Sequence, residues 1–201
     1  MKISLINIIV SVITLAIAAG LFYNNRRPSD NIDDMMMFTL LRNAEANANN
    51  QWRNFVPDKK FQNDSLCAFV EKLKKPILML RIKETSCQTC VSNELDKIKE
   101  LKENGIKCAL LVTYSPSIIK KLLRAKKCNN ITIFHIPNDC LYDNWYIEQY
   151  EAPYYFVLHP NKMASDFFLP EKSKPELTDF YIKSVAPLFY AGNSLANKKY
   201  L

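Results

Sequence analysis

Glycine is nearly missing from this chain, with three among 201 residues. Loops that cradle phosphates need glycines at fixed spacings, so P-loop and dinucleotide fingerprints are excluded. Histidine is scarcer still, at two, His135 and His159. No H-x-x-x-H and no second C-x-x-C is present, which removes the usual zinc ligand sets. Acidic side chains (20) fall short of basic ones (27), leaving a net charge of +7. The surplus gathers in runs such as Lys72, Lys74, Lys75 and Lys120, Lys121, Arg124. These runs lack interleaved aromatics, so they read as solvated helix faces and no nucleic-acid partner is expected. Six cysteines are too few for a disulfide scaffold.

What the chain does have begins at the N-terminus. Residues 3–23, ISLINIIVSVITLAIAAGLFY, are almost unbroken apolar sequence. About twenty such residues cross a bilayer core as a helix. Phe22 and Tyr23, followed by Asn24, Asn25, Arg26 and Arg27, resemble an interfacial belt and a polar stop. The segment is read as an uncleaved single-pass anchor. The competing reading is a cleaved signal peptide, because Ala16-Ile17-Ala18 fits a small-residue cleavage pattern. Either places the remaining domain outside the cytoplasm, in the periplasm if the source is a Gram-negative bacterium, where disulfide chemistry is permitted. Four regions follow: an anchor or signal segment over 1–24, a partly helical tether over 25–60, a folded domain over 61–190, and a tail over 191–201.

Within the domain, Leu66, Phe69, Val70 and Leu73 recur at helical spacing, predicting a helix over Asp64 to Lys74. An apolar run from Ile77 to Ile82 predicts a buried strand. Cys87 to Asn104 reads as a helix with Val91, Leu95, Ile98 and Leu101 inward and Gly105 as its stop. Lys107 to Tyr114 is a second strand. Ser115-Pro116 opens another helix, with Ser as N-cap and Pro in the first turn. Ile131 to Ile136 is a third strand, and Leu141 to Tyr150 a short helix. Tyr154 to Leu158 and Ala164 to Leu169 read as two strands joined by a His159-Pro160-Asn161-Lys162 turn. Pro175 starts a last helix running to about Ala186. Strand, helix, strand, helix, strand signals an α/β domain with a parallel sheet covered by helices, and the closing hairpin makes the sheet mixed.

The chemistry concentrates in T-S-C-Q-T-C, Thr85 to Cys90. Spacing alone allows a redox pair, half a zinc site or two incidental thiols. A cysteine at a helix N-terminus faces free backbone N–H groups and the positive end of the helix dipole, which stabilise a thiolate. Cys87 would then attack a disulfide, and Cys90, one turn on, would resolve the mixed disulfide. Zinc would need further ligands, and none stands nearby in sequence.

The strand PILMLRI, a C-x-x-C at the next helix, then strand, helix and strand, resembles a thioredoxin fold. The stretch EAPYYFVLHPNKMASDFFLP from Glu151 is similar to the part of thioredoxin-like proteins that carries a cis-proline, a strand, a tight turn and a second strand. The intervening NITIFHIPNDCLYDNWYIEQY resembles the insertion of membrane-tethered TlpA/ResA-type thiol:disulfide oxidoreductases. The resemblance covers roughly residues 66–188. It implies a central mixed sheet flanked by helices and dithiol–disulfide exchange with a protein partner and a further electron-exchange partner. Cys87 matches the nucleophile and Cys90 the resolving cysteine. Ala152-Pro153 matches the cis-proline position that offers backbone to the substrate. No cofactor and no metal is implied.

The chain departs from that pattern around the cysteines. Ser86 stands where an aromatic is usual, Lys83 where Trp is frequent, and Arg81 where thioredoxins bury an Asp that moves protons. Gln88-Thr89 replaces Gly-Pro. No acid stands at the usual place, and Glu84 is the nearest in sequence. Arg81 or Lys83, if close to the sulfurs, would favour the thiolate and make the pair more oxidising. A non-catalytic binding or scaffold module at the membrane is the second reading. A thiol peroxidase is the third, and it would want a Thr where Glu84 stands. His135, His159, Cys108 and the Met35 to Met37 run are read as structural. A Cys108–Cys128 bond is conceivable. A Cys128–Cys140 bond would have to span a strand of roughly 20 Å.

Overall fold

In a computed structural model, the structure describes residues 31–55, 64–128, 130–137 and 145–190. The chain divides into two compact units, Met1–Leu40 and Leu41–Leu201. The predicted anchor, residues 3–23, and the tail from residue 191 lie outside the described residues, as does Cys140. Among the described residues, no helix is long and apolar enough to cross a membrane.

The elements run α1 (Asn31–Asn50), β1 (Arg53–Asn54), α2 (Asp64–Glu71), β2 (Ile77–Ile82), α3 (Gln88–Glu103), β3 (Cys108–Val112), α4 (Pro116–Ala125), β4 (Thr132–His135), a 3₁₀ turn (Tyr146–Gln149), β5 (Tyr154–Leu158), β6 (Met163–Phe168) and α5 (Pro175–Tyr190). One six-stranded sheet has the order β1-β6-β5-β2-β3-β4. β2, β3 and β4 run parallel, whereas β5 lies antiparallel to β2 and β6 antiparallel to β5. A central mixed sheet flanked by helices, with this order of elements, fits a thioredoxin-like fold.

β2 is buried at every position, as expected of a central strand covered on both faces. Its alternation still sorts the two cores. Leu78, Leu80 and Ile82 point to the side of α3, where Val91, Leu95 and Ile98 meet them. Ile77 and Met79 point the other way, toward Leu66 and Val70 of α2. The β5–β6 hairpin carries one extra residue: Tyr155 pairs with Phe168 but Val157 with Ser165. Asp166 takes a positive φ of 53° there. The bulge resets the alternation, so Phe167 falls in the core of Ala164 and Phe168 in the opposite one.

Within the 25–60 stretch, read as a partly helical tether, the described residues form α1 and β1. Its residues 41–55 belong to the compact unit that holds the sheet. Asn43, Asn47 and Gln51 recur every four residues, so they share one face of the helix and the turn that follows it. Their side-chain oxygens accept from the backbone N–H groups of Leu169 (2.6 Å), Phe167 (2.9 Å) and Asp166 (2.9 Å). The Asn43 Nδ2 also donates to the Leu169 carbonyl at 3.1 Å. Since β1 covers β6 only at Ala164 and Met163, these amides supply the ladder that the short strand does not reach.

Candidate functional site

β2 delivers the chain to the Cys87–Cys90 pair. After Ile82 the backbone folds into a turn that Ser86 closes in both directions. The Ser86 N–H donates to the Lys83 carbonyl at 3.0 Å, and the Lys83 N–H donates to the Ser86 Oγ at 3.3 Å. The Glu84 N–H donates to the Thr113 Oγ1 at 2.7 Å, tying the turn to the end of β3. Ser86 is buried, so a bulky aromatic would not fit as this turn is built.

Cys87 is the N-cap of α3, and its Sγ accepts from the Cys90 backbone N–H at 3.1 Å. The two sulfurs form a disulfide, with Cα atoms 5.3 Å apart. Cys87, Gln88 and Thr89 are exposed, while Cys90 is half-buried. The Cys87 side of the disulfide is thus open to solvent, and Cys90 is the more covered of the two. A thiolate on Cys87 would inherit that N–H and the positive end of a 16-residue helix.

Ala152-Pro153 stands at the same pole. Pro153 is buried and leads directly into β5, whose first residue, Tyr154, pairs with Arg81. The bond before Pro153 is trans, against the cis bond that the resemblance implied. Trans is the default for X-Pro by about 0.5–1 kcal/mol, and a cis bond needs surroundings that hold it.

Arg81 and Lys83 do not reach toward α3. Their place in the strand alternation sends them to the opposite face, where both engage Glu148. Arg81 Nε lies 3.0 Å from Glu148 Oε1, and Tyr154 donates its hydroxyl to the same oxygen at 2.6 Å. Lys83 Nζ donates to the Glu148 backbone carbonyl at 2.7 Å and sits 3.8 Å from its Oε2. All three charged groups are almost fully buried. Burial lowers the Lys83 pKa, with the Glu148 charge opposing it. The cluster clamps the turn before Cys87 to the segment before Pro153.

The acid that sequence reasoning did not find is Glu94. It lies four residues beyond Cys90, so the two side chains share one face of α3, roughly 5–6 Å apart at Cβ. Glu94 is 8 % exposed and accepts from the Tyr155 hydroxyl at 2.7 Å. Burial pushes its pKa up to about 7, with the Tyr155 hydrogen bond and Lys97 opposing. Burial, with the nearby Glu94 charge, also raises Tyr155 well above its ordinary value, which keeps it a donor. The signal in the sequence was a single acid at a core-facing position of the helix, between Val91 and Leu95.

Other singled-out residues hold structure. His135 Nδ1 pairs with the Tyr114 carbonyl at 3.0 Å, and His159 Nε2 with the Ser165 Oγ at 2.6 Å. Cys67, Cys108 and Cys128 are free thiols, so Cys108 and Cys128 are not joined. Burial pushes the Cys108 thiol up to about 12. Cys128 Sγ donates to the Leu95 carbonyl at 3.2 Å. Among the described residues, no group of three or more His, Cys, Asp or Glu is placed to hold a metal ion.

No family model matches the chain, and no curated protein matches it. Solved structures do. A secreted Mycobacterium tuberculosis disulfide oxidoreductase, homologous to E. coli DsbE, is similar at 12 % identity and a TM-score of 0.39, over 53 % of this chain and 80 % of that one. A thioredoxin-like protein solved in its oxidised form is similar at 13 % identity and a TM-score of 0.41, over 57 % and 80 % of the two chains.

Proposed function

We propose that the chain is a thiol:disulfide oxidoreductase, held to a membrane by residues 3–23, that exchanges the Cys87–Cys90 disulfide with a protein partner outside the cytoplasm. The observation that carries this reading is an exposed cysteine capping a helix and joined to a half-buried one a turn away. The two oxidation states of the pair define the reaction. A partner thiolate attacks Cys87 Sγ, and the Cys87–Cys90 bond breaks with Cys90 leaving as thiolate. The partner's second thiolate then attacks the mixed disulfide, releasing Cys87 as thiolate and leaving the partner oxidised. Run backwards, the same steps reduce a partner disulfide. Two electrons pass in either direction, and a second partner must restore the pair.

Each direction moves a proton at Cys90. Glu94, one helical turn below and poised near neutrality, is the group of this chain suited to give it or take it. Pro153, buried beside the start of β5, supports Ala152 as the backbone edge a bound partner would pair with.

A non-catalytic scaffold at the membrane is separated by trapping. Thiols are blocked with a bulky maleimide in intact cells, comparing wild type with Cys90→Ser. A redox-active pair shows both oxidation states, and the variant accumulates a mixed disulfide through Cys87. Thiols that never change state, with no adduct, would leave the scaffold reading. Labelling of exposed thiols in intact cells also reports which side of the membrane the domain occupies.

A further inference from the structure

At the end of the sheet opposite the cysteines lies a cavity that the redox chemistry does not use. α3 carries the chain away from Cys87 over 16 residues, about 24 Å. It ends at Gly105, whose φ of 79° and lack of a side chain leave an opening at the helix stop. That opening is part of a cavity of about 580 Å³. Its apolar wall comes from Phe69 and Leu73 at the end of α2, Pro76 and Ile77 at the start of β2, and Phe189 near the end of α5. Lys72, Lys74, Lys75 and Lys107 also line it, and among the described residues no acidic one does. A second cavity of about 430 Å³ adjoins it, sharing Phe69, Ile77, Gly105 and Lys107 and adding Lys102 and Ile131. The size falls in the range of small-molecule sites, typically about 300–1,000 Å³.

We propose that this cavity binds a single-chain anionic amphiphile of the fatty-acid kind, with the chain along Phe69, Leu73, Ile77 and Phe189 and the carboxylate among Lys72, Lys74 and Lys107. The charge fits an anion: Lys72, Lys74 and Lys107 line the cavity and attract negative charge over a distance set by the Debye length, about 8 Å at physiological salt. The wall fits an alkyl chain. Phe69 packs its ring against Phe134, with centroids 4.9 Å apart, which holds it in place as part of that wall. Lysines are point charges on flexible stems, suited to a single carboxylate and without the planar fork that reads phosphate bidentately. The distance from Cys87 makes this a binding site separate from the disulfide, and it stands whether or not the redox reading does.

The test uses the full chain in its membrane and a photoreactive twelve-carbon fatty acid carrying a diazirine. Adducts are mapped by peptide mass spectrometry. The expected adducts fall on residues 69–77 and near Lys107, and dodecanoate competes them away while dodecanol and inorganic phosphate do not. Lys74→Glu with Lys107→Glu should cut labelling of 69–77 about tenfold, since each reversal turns attraction into repulsion. Labelling of residues 3–23 in the same molecules should be unchanged. If that double variant fails to fold by circular dichroism, Lys74→Gln with Lys107→Gln replaces it, with loss in the same direction. Cys87→Ser with Cys90→Ser should label as wild type does. Adducts confined to 3–23, labelling indifferent to the lysine changes, equal competition by dodecanol, or competition by phosphate alone would each overturn the proposal.

Discussion

Replacing Glu94 by glutamine removes one ionisation from the core while keeping its shape and its acceptor for Tyr155. In the folded chain burial pushes the carboxyl up to about 7, from an ordinary 4.5. A raised carboxyl pKa means that the native state holds its proton more tightly than the unfolded state does. Its contribution to stability is therefore complete below about 4.5 and is lost as pH rises through about 7. The shift corresponds to about 3 kcal/mol in all, of which about 2 kcal/mol falls between roughly pH 5.5 and 8. Urea unfolding of the oxidised protein, followed through the buried Trp145, should show wild type weakening by that amount across the interval. Glu94→Gln should lack that component of the slope, and at pH 8 it should be the more stable of the two. The same substitution should remove the limb near pH 7 from the rate of thiol–disulfide exchange, because the proton partner of Cys90 is gone. If both proteins keep the same pH slope, Glu94 does not titrate as its burial requires. If the slope changes while the exchange profile does not, Glu94 is a structural acid and the proton reaches Cys90 by another route.

Glu148→Ala should cost about 3–5 kcal/mol, because it removes the carboxylate that the buried Arg81 and Lys83 share; differential scanning calorimetry reads the loss. Asn47→Ala should cost about 1–3 kcal/mol by stranding the Phe167 N–H, and hydrogen exchange should quicken at that amide first. Cys90→Ser should trap partners through Cys87, whereas Cys87→Ser should trap few, because the remaining sulfur is half-buried; non-reducing gels compare the two.

The strands and the cysteine pair were legible because their signals are local. Ile77–Ile82 and Tyr154–Leu158 are short apolar runs bounded by prolines or polar turns, and both form strands over those residues. Pro116 begins its helix and Gly105 follows the end of another, as backbone stereochemistry requires. What escaped was polar and distant. Asn43, Asn47 and Gln51 form no apolar period, and their partners lie 115 to 126 residues away. Arg81 reads as a mere departure until Glu148, 67 residues on, is seen beside it. Glu94 looks like any solvated helix acid unless its position between two core residues is weighed against the strand that faces it.

The amide row on the helix beside β6 has a consequence for how the molecule can be cut. A soluble fragment begun at residue 61 would lose β1 together with Asn43, Asn47 and Gln51. The outer edge of β6 would then carry stranded N–H groups over Asp166, Phe167 and Leu169, a template on which another copy could pair. Such a fragment would be expected to self-associate while keeping its cysteines intact. One begun at Leu41 would carry its own edge protection with it.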